Sequence, residues 1–252
     1  MTPPTTYTDL KYFAELFTTG VPILTYHKLG PRPPGTRLRG MYISERLFRS
    51  QLSELRAAGF TSALPTDAVG VGKRNDQSRI VLSFDDGYVN VLRHGLAALD
   101  KFGFKAIQFI VADQIGGHNV WDEIEGEVRE PLMSYEDLRS WLAAGHELGS
   151  HTLSHARLTE VPVQQAREEI TASKKLLEDL FGIPVHHFCY PYGAWNPRVR
   201  DWVQEAGYRT ASSCEFGVNG AGQDPFVLRR IQTRYRSWGL RGLRERARLM
   251  RN

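Results

Sequence analysis

Short apolar runs rich in Val, Ile and Phe alternate along this chain with longer stretches in which apolar residues recur at helical spacing. That is the pattern of repeated β-α units rather than of a sandwich. Runs over residues 21–26, 60–63, 80–84, 106–111, 147–150, 187–190 and 209–213 predict seven strands, and 227–231 reads as a further one. Start and stop signals delimit the helices between them. Ser134 followed by Asp137 reads as a capping box, and Asn196-Pro197 as an N-cap and first helical turn. Gly59, Gly103, Gly145, Gly182 and Gly207 fall at the helix ends. Between residues 84 and 207 the alternation is regular enough to predict parallel strands joined by right-handed crossovers. The expected fold is α/β, a full or a distorted, incomplete (β/α) barrel of about seven parallel strands, with a doubly wound sheet as the alternative.

Composition changes this picture little. With 252 residues, 41 % hydrophobic and 24 % charged, the chain can bury a substantial core, and one domain is the simplest reading. Two cysteines, Cys189 and Cys214, are too few for a disulfide framework. There is no run of about 18 apolar residues, and the first twenty residues lack a basic start followed by an apolar stretch. The expected location is therefore cytoplasmic or at a membrane surface, or extracellular if a leader precedes this sequence.

The net charge of +4 is uneven, because nine of the 24 residues from 229 to 252 are arginine against the single acidic Glu245. Leu240, Leu243, Ala247 and Met250 fall at helical spacing, so a basic C-terminal helix is expected over 237–252. It would dock on the domain with a solvated basic face, or meet anionic lipid or an acidic polymer. No nucleic-acid signature accompanies the charge.

The chemistry collects by position. His27, Asp85-Asp86, His151 and His155, and Pro191-Tyr192-Gly193 each follow a predicted strand directly, which is the active rim of such barrels. Two adjacent carboxylates repel unless a cation takes one and leaves the other as a proton acceptor. The alternative for such an aspartate is helix capping. His151 and His155, four positions apart, can converge on one ion. Two imidazoles and one carboxylate leave coordination positions open, as a catalytic metal site requires. Zinc fits best, although non-heme iron oxygenases use the same ligands. His146, His186, His187 and His94 fall near strand starts or within a helix and read as structural. His118 and Trp121 lie in a long loop on the active side and are candidate substrate contacts.

With these residues in hand, the chain resembles the polysaccharide deacetylases, the NodB-homology or carbohydrate esterase family 4 proteins, from about residue 21 to 231. SFDDG at 83–87, HTLSH at 151–155 and PYG at 191–193 carry the likeness. The resemblance implies a distorted (β/α) barrel and a catalytic domain over 21–236, preceded by an extension over 1–20. It implies Asp85 as base, Asp86, His151 and His155 as ligands of one divalent ion, zinc with cobalt or nickel as alternatives, and Tyr192 offering its backbone N–H to the oxyanion. Pro191 and Arg230 join His118 and Trp121 as expected substrate contacts, and the expected partner is a carbohydrate.

The chain departs from the family pattern twice. Cys189 stands where an arginine usually orients the base, a task that Arg229 or Arg230 could take from another direction. The late Leu-x-His motif is replaced by Leu228-Arg229-Arg230-Ile231. The run Pro22-Ile23-Leu24-Thr25-Tyr26-His27 resembles the first strand of the permuted branch that includes the poly-β-1,6-N-acetylglucosamine deacetylases, and it implies His27 as the general acid. The expected activity is N-deacetylation of an amino sugar in a polysaccharide, oligosaccharide or lipid-linked glycan. Competing readings are an O-deacetylase, a deformylase or a cyclic amide hydrolase on the same site, and a non-catalytic glycan-binding module.

Overall fold

The alternation of apolar and polar positions resolves into eleven strands and seven α-helices within residues 6–69 and 78–233, which the computed structural model of the protein describes. The strands are β1 (Thr6–Tyr7), β2 (Ile23–Tyr26), β3 (Lys28–Leu29), β4 (Tyr42–Ile43), β5 (Thr61–Ser62), β6 (Arg79–Phe84), β7 (Ile107–Ile110), β8 (Glu147–Ser150), β9 (His187–Cys189), β10 (Thr210–Phe216) and β11 (Leu228–Thr233). The helices are α1 (Ala14–Phe17), α2 (Glu45–Ala57), α3 (Val89–Phe102), α4 (Val120–Glu123), α5 (Tyr135–Ala143), α6 (Val163–Phe181) and α7 (Pro197–Glu205). The sequence signals at their ends are realised. Ser134 and Asp137 form a reciprocal capping box, Asn196 accepts from the Val199 N–H, and all five stop glycines have positive φ.

Seven strands close a parallel ring in the order β2-β6-β7-β8-β9-β10-β11, and β11 returns to β2 through Ile231 opposite Leu24 and Gln232 opposite Thr25. The barrel is therefore complete, but its membership differs from expectation. The run at 60–63 forms only the short β5, which pairs with the start of β6 outside the ring, because Pro65 turns the chain into a 3-10 segment directly afterwards. The last apolar run supplies the closing strand instead. The segment before residue 21, expected as an extension, packs on the same core: β1 pairs with β11, and Tyr7, Phe13 and Phe17 are buried. The C-terminal helix expected over 237–252 lies outside the described residues. Among the described residues no helix is long and apolar enough to cross a membrane.

Period-two alternation divides the side chains into two layers. Outward residues such as Leu24, Tyr26, Leu82, Phe84 and Phe188 join Phe48, Leu52, Leu99, Trp141, Ile170 and Leu177 of the helices in one core. Inward residues Ile23, Val81, Ile107, Phe109, Cys189 and Leu228 form a second core inside the ring. The same inward parity places Thr25, Ser83 and Arg230 in the barrel interior, all buried. Apolar packing thus fills the lower barrel, and polar groups gather at the end where the strands finish.

At the other end, His146 and His187 are buried and neutral. The His146 ring accepts from the Ala106 N–H and stacks on Trp141, and His187 pairs with the Thr210 hydroxyl. Burial pushes their pKa values from 6.5 down to about 4 and about 3, respectively. The unfolded chain therefore binds protons below pH ~6.5 that the folded chain refuses, so stability falls as pH drops through that value. His187→Gln should flatten this acid limb by about one proton, read as a smaller change in urea midpoint between pH ~7 and ~5.

Candidate active site

Inward parity along β6 carries Val81 and Ser83 into the barrel and delivers Asp85 to its mouth, just past the last strand residue. Asp86 then takes a left-handed conformation, φ 75°. Neither carboxylate caps the following helix, since the N-cap of α3 is Tyr88 and makes no side-chain capping bond. Both are buried. Among the described residues only four non-glycine positions have positive φ: Asp86, Thr152, His155 and Tyr192. Each lies in one of the three motifs singled out in the sequence, so local backbone strain is concentrated where the chemistry collects.

The two aspartates have separate partners. Asp85 receives a two-pronged ion pair from Arg230, 2.8 Å at each carboxylate oxygen, while the Arg230 Nε–H donates to the Ser213 carbonyl at 2.8 Å. Burial alone would raise the Asp85 pKa, but the guanidinium offsets this and holds the carboxyl below its ordinary value. Of the two arginines that could reach Asp85, Arg230 does so and Arg229 is exposed. Arg230 was also expected as a substrate contact. It is only 2 % exposed and its donors are committed within the protein, so its place is behind Asp85. Cys189 lies on the same wall, its Sγ 3.8 Å from Asp85 Oδ2.

Asp86 instead faces two imidazoles, with Oδ1 3.4 Å from Nε2 of both His151 and His155. The His151 Nδ1–H donates to the Cys189 carbonyl at 2.7 Å, which directs the Nε2 lone pair toward Asp86. The HTLSH segment is a loop clamped by Glu169 of α6, which accepts from the Leu153 and Ser154 N–H groups, while the His155 N–H donates to Thr152 Oγ1. All three donor side chains are buried and their ligating atoms converge. Zinc bonds of about 2.0–2.1 Å would set tetrahedral donor atoms about 3.3–3.4 Å apart, so the spacing to Asp86 fits a small divalent ion.

His27 continues the inward parity of β2 and brings Nε2 to 3.7 Å from Asp85 Oδ2, with a quarter of its side chain exposed. Burial lowers its pKa, partly offset by the Asp85 carboxylate. Tyr192 sits at φ 59° in a turn that packs so tightly on β10 that a Cβ on Gly193 would fall 2.5 Å from the Cys214 Cβ. The Tyr192 ring lies edge-on to His155 at 4.7 Å beneath the Arg157 guanidinium. Pro191 is buried at the base of this turn.

Trp121 stacks on His155 at 4.4 Å and lines a groove of about 560 Å³ with Arg37, Asp122, Arg157 and Tyr192. His118 does not join them: it pairs with Glu123 at 2.9 Å and lines a separate depression beside Arg129. Sequence reading missed Glu169, Asp122, Arg37 and Arg157. Only Asp122 carried a signal, its place next to Trp121 in an active-side loop.

The profile of the family described as polysaccharide deacetylase matches residues 72–211, more than half of the chain. The chain belongs to the polysaccharide deacetylase family. It is 25 % identical to YxkH of Bacillus subtilis, over 84 % of this chain and 71 % of that protein. It is 27 % identical to the peptidoglycan-N-acetylglucosamine deacetylase PgdA of Listeria monocytogenes over 53 % of this chain, which spans only 25 % of that protein's length. The structure of IcaB from Ammonifex degensii superposes with a TM-score of 0.71 at 25 % identity, covering 84 % of this chain and 91 % of that one. The closed parallel barrel is thus the deacetylase fold, and the three motifs occupy its mouth.

The buried pair of Asp85 and Arg230 makes the protein sensitive to one substitution. Arg230→Met would leave the buried Asp85 carboxylate without its partner, and should lower the unfolding free energy by about 3–5 kcal/mol. Arg230→Lys keeps the charge but not the fork and should lose less, as denaturant titration of both variants would show.

Proposed function

We propose that the protein hydrolyses the N-acetyl group of an amino sugar in a glycan, releasing acetate and a free amine, at a site built around one divalent ion. The observation that carries this reading is the convergence of Asp86, His151 and His155 on one point, beside an aspartate that is held by an arginine and left out of that set. Family membership and the printed activity of PgdA support an acylated amino sugar as the substrate class.

Asp86, His151 and His155 would hold the ion, for which zinc suits the donor set and cobalt or nickel would also serve. Bound there, it would supply Lewis acidity toward the acyl carbonyl and toward a water. Asp85 would accept the proton of that water, and Arg230 keeps its carboxylate ionised and aimed for the task. The backbone N–H of Tyr192 would donate to the developing oxyanion. His27, across from Asp85, would pass a proton to the departing nitrogen, and its lowered pKa makes its cationic form a readier donor. The groove lined by Trp121 and Tyr192 would receive the sugar.

Supplied with zinc, cobalt or nickel, the protein should release acetate from N-acetylglucosamine oligomers, measured by a coupled acetate assay. Asp85→Asn should reduce this by roughly 100-fold or more without unfolding the chain. His27→Ala should do the same on the amide but far less on an acetate ester, because an alkoxide leaves with less help than an amine. Equal loss on both substrates would remove His27 from the acid role.

Metal binding can be read without turnover. Zinc should raise the thermal midpoint of the protein, and His151→Ala together with His155→Ala should abolish both that rise and the zinc found by elemental analysis. An unchanged midpoint and no retained metal would remove the ion from the site.

A further inference from the structure

Beyond the residues assigned to the reaction, the groove floor holds a carboxylate with a single hydrogen-bond donor. Asp122 is only 8 % exposed, yet among the described residues it makes no ion pair, and its carboxylate receives one hydrogen bond, from the Tyr88 hydroxyl to Oδ2 at 2.9 Å. An ionised carboxylate offers about four acceptor positions and is costly to bury with so few donors. Arg37 and Arg157 line the same groove, but the recorded polar contacts of their guanidinium groups are to the Glu125 carbonyl and to Glu160. Burial and the nearby Asp86 carboxylate raise the Asp122 pKa, as expected of a site short of donors.

The carboxylate is nonetheless held firmly. Tyr88 is fully buried beneath the Lys28 ammonium, 4.3 Å from its ring, and pairs through a β-bridge with Leu132. The Asp122 N–H donates to the Asn119 carbonyl, and Asn119 is fixed in turn by the Glu130 N–H and the Val128 carbonyl. The preceding residue, Trp121, stacks on His155. One dipeptide therefore forms the wall of the candidate metal site and, one residue on, presents an acceptor short of donors to the space beside it.

We propose that Asp122 binds the sugar ring that carries the reacting acyl group, its carboxylate accepting a hydrogen bond from a ring hydroxyl. This rests on the deacetylase reading above. In such a ring the nitrogen is acylated and uncharged, so hydroxyls are the strong donors available, and a rigid buried carboxylate selects for them because a ligand without the hydroxyl leaves it unpaired. Asp122 then sets which sugar face enters the groove.

The test is binding of an N-acetylglucosamine tetramer by zinc-loaded protein in an Asp85→Asn background, which keeps the sugar intact. Asp122→Ala should weaken affinity roughly 10- to 100-fold, with Asp122→Asn losing less and Tyr88→Phe falling between them. With Asp85 restored, Asp122→Ala should raise KM more than it lowers kcat. Should Asp122→Ala fail to fold, Tyr88→Phe carries the comparison, because it leaves the carboxylate in place. Equal affinity in variant and parent overturns the proposal, as does a parent that does not bind the tetramer. A parent that binds through Asp122 but releases no acetate keeps Asp122 as a sugar contact and removes the hydrolytic reading. A parent that releases acetate and is indifferent to Asp122 does the reverse.

Discussion

Two neighbouring carboxylates buried at one barrel mouth repel each other, and the site depends on how that repulsion is resolved. The structure sends them to different partners. Asp85 meets a guanidinium from the closing strand, and Asp86 meets two imidazoles from the loop after β8. Without the arginine, Asp85 would be a buried carboxylate beside His27, His151 and a thiol. It would then protonate or compete for the donors that surround Asp86.

The barrel makes this division possible, since each partner arrives on a different strand. β6 brings the aspartates, β11 the arginine, β9 the carbonyl that orients His151, and β2 leads to His27. Their sequence separations are large, with Asp85 and Arg230 145 positions apart, so the constellation exists only once the ring has closed. The strained residues sit where strand ends pass into loops, supported below by the apolar interior of Ile23, Val81, Ile107, Phe109 and Leu228. A rigid base beneath a strained rim is a general way to hold polar groups in place before a ligand arrives.

The departure at Cys189 has a physical resolution on the same wall. The thiol occupies the inward position on β9, and Arg230 fills the space beside Asp85 from β11. A guanidinium is needed at the carboxylate, but the strand that delivers it need not be fixed, because the interior of a narrow barrel is reached from every strand. The expected substrate contacts divide similarly. Trp121 joins the groove, Pro191 supports the turn from below, and His118 is drawn away by Glu123.

Much of this was legible in the sequence. The three motifs are short and local, and their placement after apolar runs follows from β-α periodicity, so the rim that bears Asp85, Asp86, His151, His155 and Tyr192 could be read directly. The helix ends were equally legible, because caps and glycine stops act within a few residues. Three matters were decided only in three dimensions. The run at 60–63 looked like a barrel strand until pairing left it outside, and the run at 227–231 became the closing strand. Arg229 and Arg230 could not be told apart, because Leu228 and Ile231 are both apolar and leave the inward parity of the strand ambiguous, whereas pairing of β11 with β10 and β2 turns Leu228 and Arg230 inward. The incomplete hydrogen bonding of Asp122 arises from contacts with Tyr88 and Asn119, which no local pattern encodes. Periodicity and caps are properties of neighbouring residues, whereas register, closure and the partners of a buried charge depend on residues far apart in the chain.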